Sequence, residues 1–329
     1  MKRKCGQSLV SACVGVFVIR WLFKLMLSTP LDAHALRSRE YCEPLVRKHW
    51  DVDAAIERSA TLKREESEKM STSKFTVLLN TFERDDLLRR AIAHYERCEE
   101  VEEIVVVWSE PRAAPREGEI GSEEYYSKTT RTRYETHNGT SIQNRFEPVA
   151  GLRTRAVFNV DDDVRVPCGA LRRGFESWQQ NPDDLVGYFP RNYAPVKKRN
   201  KKCAWRYVAR EHELWWNGRY SIVLTKAAFM DQRYLKLYKE HLPESVRRYV
   251  DNGKNCEDIA MQFLTSAITR RAPVYAPASL AYYIRAKLFG MNVRGISSGT
   301  DHHVSRGHCI TSFQKMFGTP TLPLVERYF

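Results

Sequence analysis

Three short apolar runs stand out along a mostly polar chain. FTVLLNT (75–81), EIVVVW (103–108) and TRAVFNV (154–160) have the length and β-forming content of buried strands. Between the first two lies RDDLLRRAIAHYERC (84–98). There Leu87, Leu88, Ala91, Ile92 and Tyr95 recur at helical spacing, and Asp85 and Asp86 fall in the first turn, which the helix dipole favours. Strand, helix and strand at this spacing predict an α/β fold on a parallel sheet. A further helix is predicted over NCEDIAMQFLTSAI (255–268), with Ile259, Met261, Phe263, Leu264 and Ile268 as its apolar surface and Asn255 as a candidate cap.

The flanks have a different texture. Residues 8–27, SLVSACVGVFVIRWLFKLML, follow a basic MKRK and approach the roughly 20 apolar residues of a spanning helix. Arg20 and Lys24 lie four apart on one face, where both can snorkel to an interface. A signal anchor with its basic end in the cytoplasm is the favoured reading. A cleaved signal peptide and a surface-lying amphipathic helix are the alternatives. Residues 28–73 are charge-rich and read as a stem with some helix, outside the core. The expected organisation is therefore a cytoplasmic tail (1–7), an anchor (8–27), a stem (28–73) and a folded domain (74–329).

Composition adds limits. A hydrophobic fraction of 43% over 329 residues supports a sizeable core and excludes a disordered chain. The net charge of +13, to which Lys2, Arg3, Lys4, Arg20 and Lys24 contribute, points to an anionic partner without naming it. No GxGxxG or GxxxxGK[ST] is present, so dinucleotide and P-loop readings have no support. Six cysteines beyond the anchor (Cys42, Cys98, Cys168, Cys203, Cys256 and Cys309) include no CxxC. In an oxidising lumen they allow one or two disulfides, which spacing does not pair. In that compartment Asn138-Gly139-Thr140 is an N-glycosylation acceptor.

Candidate chemistry begins where the third strand runs into Asp161-Asp162-Asp163. Ligands of open α/β sheets bind beyond the carboxyl ends of strands, and three adjacent carboxylates call for a cation. Oxygen ligands suit Mg²⁺ or Mn²⁺ carrying a substrate phosphate, although an acidic turn is the plain alternative. Glu257 and Asp258 are favourable first-turn acids, with a carboxylate facing a reacting sugar carbon as the sharper reading of Asp258. DHHVSRGHC (301–309) admits a zinc site, a phosphate-binding Arg306 or a solvated loop. The basic run Lys197, Lys198, Arg199, Lys201 and Lys202 reads as a solvated loop or a contact for an anionic acceptor, and Trp205, Trp215 and Trp216 as core or sugar-stacking rings.

FTVLLNTFERDDLL, IVVVW, QNRFEP, VFNVDDDV, ESWQQNPDDLVGYFPR, YSIVLTKAAF and NCEDIAMQF occur in the order seen in the exostosin-like glycosyltransferases, glycosyltransferase family 64, which the chain resembles over roughly residues 74–312. The resemblance implies a GT-A fold (Rossmann-like, binding a nucleotide sugar), a retaining mechanism, Mn²⁺, and a type II membrane protein of the Golgi or endoplasmic reticulum with a lumenal catalytic domain. Residue by residue, it implies that Asn80, Arg84, Arg145, Asp161, Asp162, His302 and Arg306 contact the donor. It implies that Asp163 ligates the metal and that Asp258 is catalytic, with Glu257 in place of a usual Asp neighbour. Cys256 and Cys309 match a family disulfide. Ser109 and Thr140 stand where better-known members have Asn, which makes donor identity the open question. The expected reaction moves an N-acetylhexosamine from a UDP donor to a glycan or glycolipid. The alternatives are GDP-mannose or UDP-glucosamine with a sphingolipid-type acceptor, or a non-catalytic lumenal partner of a polymerase. A homodimer is the candidate assembly. A nucleic-acid partner is not expected, because the anchor places the domain in a lumen.

Overall fold

The apolar runs become the middle of one sheet. The computed structural model describes residues 50–67, 70–115, 131–197, 203–209, 214, 218–278, 300–318, 322, 323 and 325. The 8–27 segment lies outside them, and no helix among the described residues is long and apolar enough to cross a membrane. Strand β1 (Ser71–Thr81) lies between β2 (Val101–Trp108) and β4 (Thr154–Asp161) and parallel to both; β3 (Arg131–Thr136) extends the sheet beyond β2, also parallel. On the other side β9 (Ala227–Asp231) runs antiparallel to β4, followed by the short β5 (Val186–Gly187) and β10 (Val274–Tyr275). The order across this sheet is β10-β5-β9-β4-β1-β2-β3. A smaller antiparallel sheet holds β6 (Pro190–Lys197) between β7 (Cys203–Val208) and β8 (Ile222–Val223).

Burial explains the pairing. Phe75, Val77, Leu78 and Leu79 are fully buried, while the first four residues of β1 are exposed. β1 is thus fully covered from Phe75 onward, with Thr76, Asn80 and Thr81 buried among its apolar residues, as expected of a central parallel strand. The rings of Phe75, Phe158 and Phe229 meet at centroid distances of 4.6–6.3 Å. They lock β1, β4 and β9 together from one face.

Among the described residues, seven α-helices accompany the sheets: α1 (Val52–Ser67), α2 (Asp85–Tyr95), α3 (Cys168–Gln180), α4 (Arg233–His241), α5 (Glu244–Gly253), α6 (Glu257–Thr269) and α7 (Thr300–Phe317). A disulfide, Cys98–Cys168, ties the end of α2 to the start of α3. These cysteines, with His94, would otherwise look like a metal cluster. Their sulfurs are consumed by the bond, and His94 Nε2 lies 2.7 Å from the Val166 carbonyl.

The expectation that residues 28–73 stand outside the core is corrected for α1. Ala55, Ser59 and Leu62 are buried against the domain, and the Trp50 indole donates to the His241 carbonyl (2.6 Å). The charges of α1 have partners in the domain: Arg58 bonds Glu240 and Lys63 bonds Asp183, each at 2.8 Å. Arg233, itself buried, reaches Asp231, Asp183 and Ser59 at 2.7–3.1 Å. Polar residues in α1 therefore mark complementary charge in the domain surface.

Candidate active site

The parallel register delivers the site. Asn80 of β1 is the cross-strand partner of Asp161 of β4, so the aspartate run leaves the sheet beside the end of its central strand. Asp162 N–H donates to the Asn80 carbonyl (3.0 Å) and Asp161 N–H to that of Lys226 (3.1 Å). Asp162 is fully buried; it accepts from Thr81 Oγ1 at 2.8 Å and pairs with Arg84 at 2.5 Å. Burial, opposed by Arg84, pushes its carboxyl up to about 6. Asp163 is more open, 3.5 Å from the same guanidinium. Burial and the neighbouring Asp161 charge raise its proton affinity as well.

Arg84 reaches these acids from a strained turn. Glu83 has φ +54, in the left-handed region, and its N–H donates to Glu110 Oε1 at 2.6 Å. Glu110, buried just beyond β2, also accepts from Arg112, which bonds Asp85 in turn. That arrangement fixes the loop before α2, and sequence reading passed over Glu110.

Arg145 sits on a 3₁₀ turn (Ile142–Phe146) capped by Ser141, whose Oγ accepts from Gln143 N. Tyr238 Oη donates to Gln143 Oε1 (3.0 Å) and Gln143 Nε2 to the Arg247 carbonyl (3.2 Å), so α4 and α5 hold the turn. Asn159 of β4 donates to the Arg145 carbonyl at 3.1 Å. The guanidinium spans two acidic segments: Nη2 lies 2.8 Å from Asp161 and Nη1 3.4 Å from Glu257. Ser109 accepts from Asn144 Nδ2 (3.0 Å), which also donates to the Gly139 carbonyl. Asn138 and Thr140 are exposed on that loop.

Helix α6 begins with Glu257 and Asp258. Asn255 does not cap it as expected. Its Oδ1 accepts from Cys256 N–H (2.8 Å), and Cys256 itself is the cap residue, at φ +75. The Cys256–Cys309 disulfide fastens this strained start to α7. Burial and the Asp258 charge raise the proton affinity of Glu257. Asp258, 4% exposed, accepts from Ile259 N–H at 2.8 Å and from Arg306 Nη1 at 2.9 Å.

Residues 301–309 form part of an 18-residue helix, not a loop. Cys309 is disulfide-bonded, which removes it from any zinc site. Arg306 is buried, bonds Tyr207 Oη at 3.1 Å and lies over that ring at 5.3 Å. Burial, then the Arg306 charge, lowers the His302 imidazole to about 4.

Arg84, Arg145, Asp161–Asp163, Glu257, Asp258, His302, Arg306 and Ser109 thus converge on one region. Asn80 is there too, but its amide is spent in the sheet: Nδ2 donates to Asn159 Oδ1 and the Val160 carbonyl at 2.8 and 3.0 Å. Trp205 is core, buried against Tyr193 and bonded to Gln314. Residues 198–202, Trp215 and Trp216 lie outside the described residues. Tyr207, Glu110 and Lys226 were missed. The last could have been noticed as a lone cation between the apolar stretches of YSIVLTKAAF.

Comparison with known proteins agrees with this geometry. Residues 75–329 match the glycosyl transferase family 64 domain. The chain is 36% identical over 257 residues to glycosylinositol phosphorylceramide mannosyl transferase 1 of Arabidopsis thaliana, covering 76% of this chain and 74% of that protein. It is 31% identical over 254 residues to exostosin-2 of Mus musculus. It is 32% identical over 259 residues to glucosamine inositolphosphorylceramide transferase 1 of Arabidopsis thaliana. The match spans 77–78% of this chain but only 33% and 31% of those two relatives.

Proposed function

The chain belongs to glycosyltransferase family 64, and from that premise we propose that it is a retaining transferase of the GT-A fold, taking a nucleotide sugar as donor and a phosphate-bearing glycolipid as acceptor. The observation that carries the reading is Arg145. It joins the aspartates at the end of the parallel sheet to the acids that open α6, residues far apart in sequence, in one charged cleft. The relative matched over most of both chains is named a mannosyl transferase of glycosylinositol phosphorylceramide. GDP-mannose is therefore the first donor to try. UDP-N-acetylhexosamine, expected from the resemblance, is the second.

Asp163 suits a hard divalent ion. It offers carboxylate oxygens, its side chain is 16% exposed, and Arg84 approaches it only at 3.5 Å. Asp163 would hold Mn²⁺, or Mg²⁺ in its place, which supplies Lewis-acid charge against the donor diphosphate. The remaining work belongs to the chain. Arg84 and Arg145 pair with Asp162 and Asp161 and fix those carboxyl groups beside the place where donor hydroxyls would lie. Asp258, held by Arg306 and by the Ile259 N–H, presents a fixed negative charge to the sugar carbon as positive charge develops there. An acceptor hydroxyl entering on the face the leaving group vacates keeps the anomeric configuration. The two disulfides among the described residues suit an oxidising lumen, in line with a type II placement in the Golgi or endoplasmic reticulum and an N-glycan at the exposed Asn138.

A panel of nucleotide sugars scored for Mn²⁺-dependent hydrolysis and for transfer to inositol phosphorylceramides tests the reading. Turnover is expected with at least one donor, lost in Asp163→Ala and reduced at least about 10³-fold in Asp258→Asn. An unmodified chain that turns over no donor would be a non-catalytic partner instead.

A further inference from the structure

The ion pairs of the cleft leave two cations over. Each acid of the aspartate run has an arginine beside it: Asp161 has Arg145 at 2.8 Å, and Asp162 and Asp163 share Arg84 at 2.5 and 3.5 Å. Asp258 has Arg306 at 2.9 Å. Lys226 and Arg191 have no carboxylate within 4.0 Å among the described residues. Lys226 belongs to the turn between β8 and β9, and its backbone carbonyl accepts from Asp161 N–H (3.1 Å), which places it at the mouth of the site. Its ammonium rests over the Phe189 ring at 4.2 Å, with the Asp161 and Asp163 charges acting on it from beyond ion-pair distance. Arg191 lies two residues further along the same chain segment. Its only side-chain bond among the described residues runs to the adjacent Pro190 carbonyl (2.7 Å).

Both cations are partly buried. Burial and then the Arg191 charge push the Lys226 amine below its ordinary value, with Arg306 adding to the effect, so the two like charges feel each other. Bringing two cations together in a half-dry setting is unfavourable unless an anion sits between them. Asp161 and Asp163 offset that repulsion only in part, since their nearest contacts are arginines and neither lies within ion-pair distance of Lys226. Unlike those arginines, which each pair with a carboxylate, Lys226 and Arg191 carry hydrogen-bond donors not committed to any acid among the described residues.

We propose that Lys226 and Arg191 form a phosphate-binding subsite at the mouth of the cleft, taking the diphosphate of the donor or the phosphodiester of a glycolipid acceptor. The inference rests on the transferase reading of the same site. It names the cations that would read the anionic part of the substrate. A compact ammonium on an aromatic ring and a planar guanidinium suit a tetrahedral phosphate approached from two sides.

The test is calorimetric titration of the purified full-length protein, needing no turnover. The probes are GDP and UDP with Mn²⁺ for the donor, and glycerophosphoinositol for the acceptor headgroup. Lys226→Met and Arg191→Met should each weaken at least one probe about 10-fold or more, as expected for loss of a charge-assisted bond. Lys226→Arg should stay within about threefold of the unmodified protein. Weakened nucleotide binding assigns the subsite to the donor, and weakened glycerophosphoinositol binding assigns it to the acceptor; both support it. Unchanged affinity for every probe in both methionine variants overturns it, as does binding of no probe by the unmodified protein. A Lys226→Arg variant as weak as Lys226→Met also overturns it, since shape rather than charge would then matter. Should Lys226→Met unfold, Arg191→Met decides by the same criterion. Lysine-dependent phosphate binding in a protein that transfers no sugar would sink the transferase reading alone.

Discussion

Gly307 sets the distance at which α7 approaches β7, and hence where Arg306 stands. A Cβ built on Gly307 would lie 2.5 Å from the Trp205 carbonyl oxygen and 3.4 Å from Tyr207 N. Comfortable contacts begin near ~3.5 Å, so a methyl group would force the elements apart by about 1 Å. The obstacle is backbone, not a side chain that can swing aside. Sliding the helix is opposed by the Cys256–Cys309 bridge, by Trp205 N–H donating to Thr311 Oγ1 (3.2 Å) and by the Trp205 indole on Gln314 (2.5 Å). Overpacking of this kind costs about 1–3 kcal/mol, against which alanine's helix propensity returns about 1 kcal/mol. The expected net loss for Gly307→Ala is ~0–2 kcal/mol, or at most roughly 4–8 °C in Tm for a domain of this size. Activity should suffer more. Arg306 adjoins Gly307 in sequence and bonds Asp258 and Tyr207, and a 1 Å misplacement in such a site can cost ~10²-fold in kcat. Differential scanning fluorimetry and initial rates on the same preparation measure both effects. His308→Ala, at an exposed position on the same helix, is the control and should change neither. A Gly307→Ala protein with unaltered Tm and kcat would refute the close approach and the placement of Arg306 that depends on it.

Four further outcomes are expected. Leu62→Ala should cost about 2–5 kcal/mol in chemical denaturation, because the side chain is 1% exposed; a stem detached from the domain would show no effect. Replacing both Cys98 and Cys168 by Ser should lower stability by about 2–5 kcal/mol while sparing donor hydrolysis at low temperature, since that bridge ties α2 to α3 and none of the site residues hangs from it. Folding depresses the His302 imidazole to about 4, so the unfolded chain binds the extra proton. Stability should therefore be lost as pH falls from about 6.5 through about 4, a slope that His302→Gln flattens in pH-dependent denaturation. Arg145→Lys, which keeps charge but not the fork that spans Asp161 and Glu257, should cut kcat/KM at least about 10-fold; a change under twofold would show the bridge is dispensable.

Pattern reading succeeded where burial is continuous and failed where buried charges pair. The central strands and α6 announce themselves because apolar residues dominate their buried positions, as Phe75, Val105, Phe158 and Phe263 show. Helix α1 carries few apolar residues. Ala55 and Leu62 are too sparse to make a stripe, and what holds the helix is the match of Arg58 and Lys63 to acids far along the chain. Helix α7 hides for the opposite reason. Its glycine and histidines suggest a loop, yet Gly307 is there for close packing and Arg306 is buried against an acid. The same division runs through the site. The aspartates could be read directly because they end an apolar strand. The cations around them could not be read from periodicity, since Arg145 sits on a one-turn element, Arg306 on a helix without clear periodicity and Lys226 on a turn; the first two were found only through the family resemblance or a local basic motif, and Lys226 was missed. A one-dimensional pattern records which face is dry, but a buried charge pair leaves a dry face that looks wet in sequence. In a cleft that binds polyanionic substrates such pairs are the working parts, so the residues hardest to find from sequence are the ones most concentrated there.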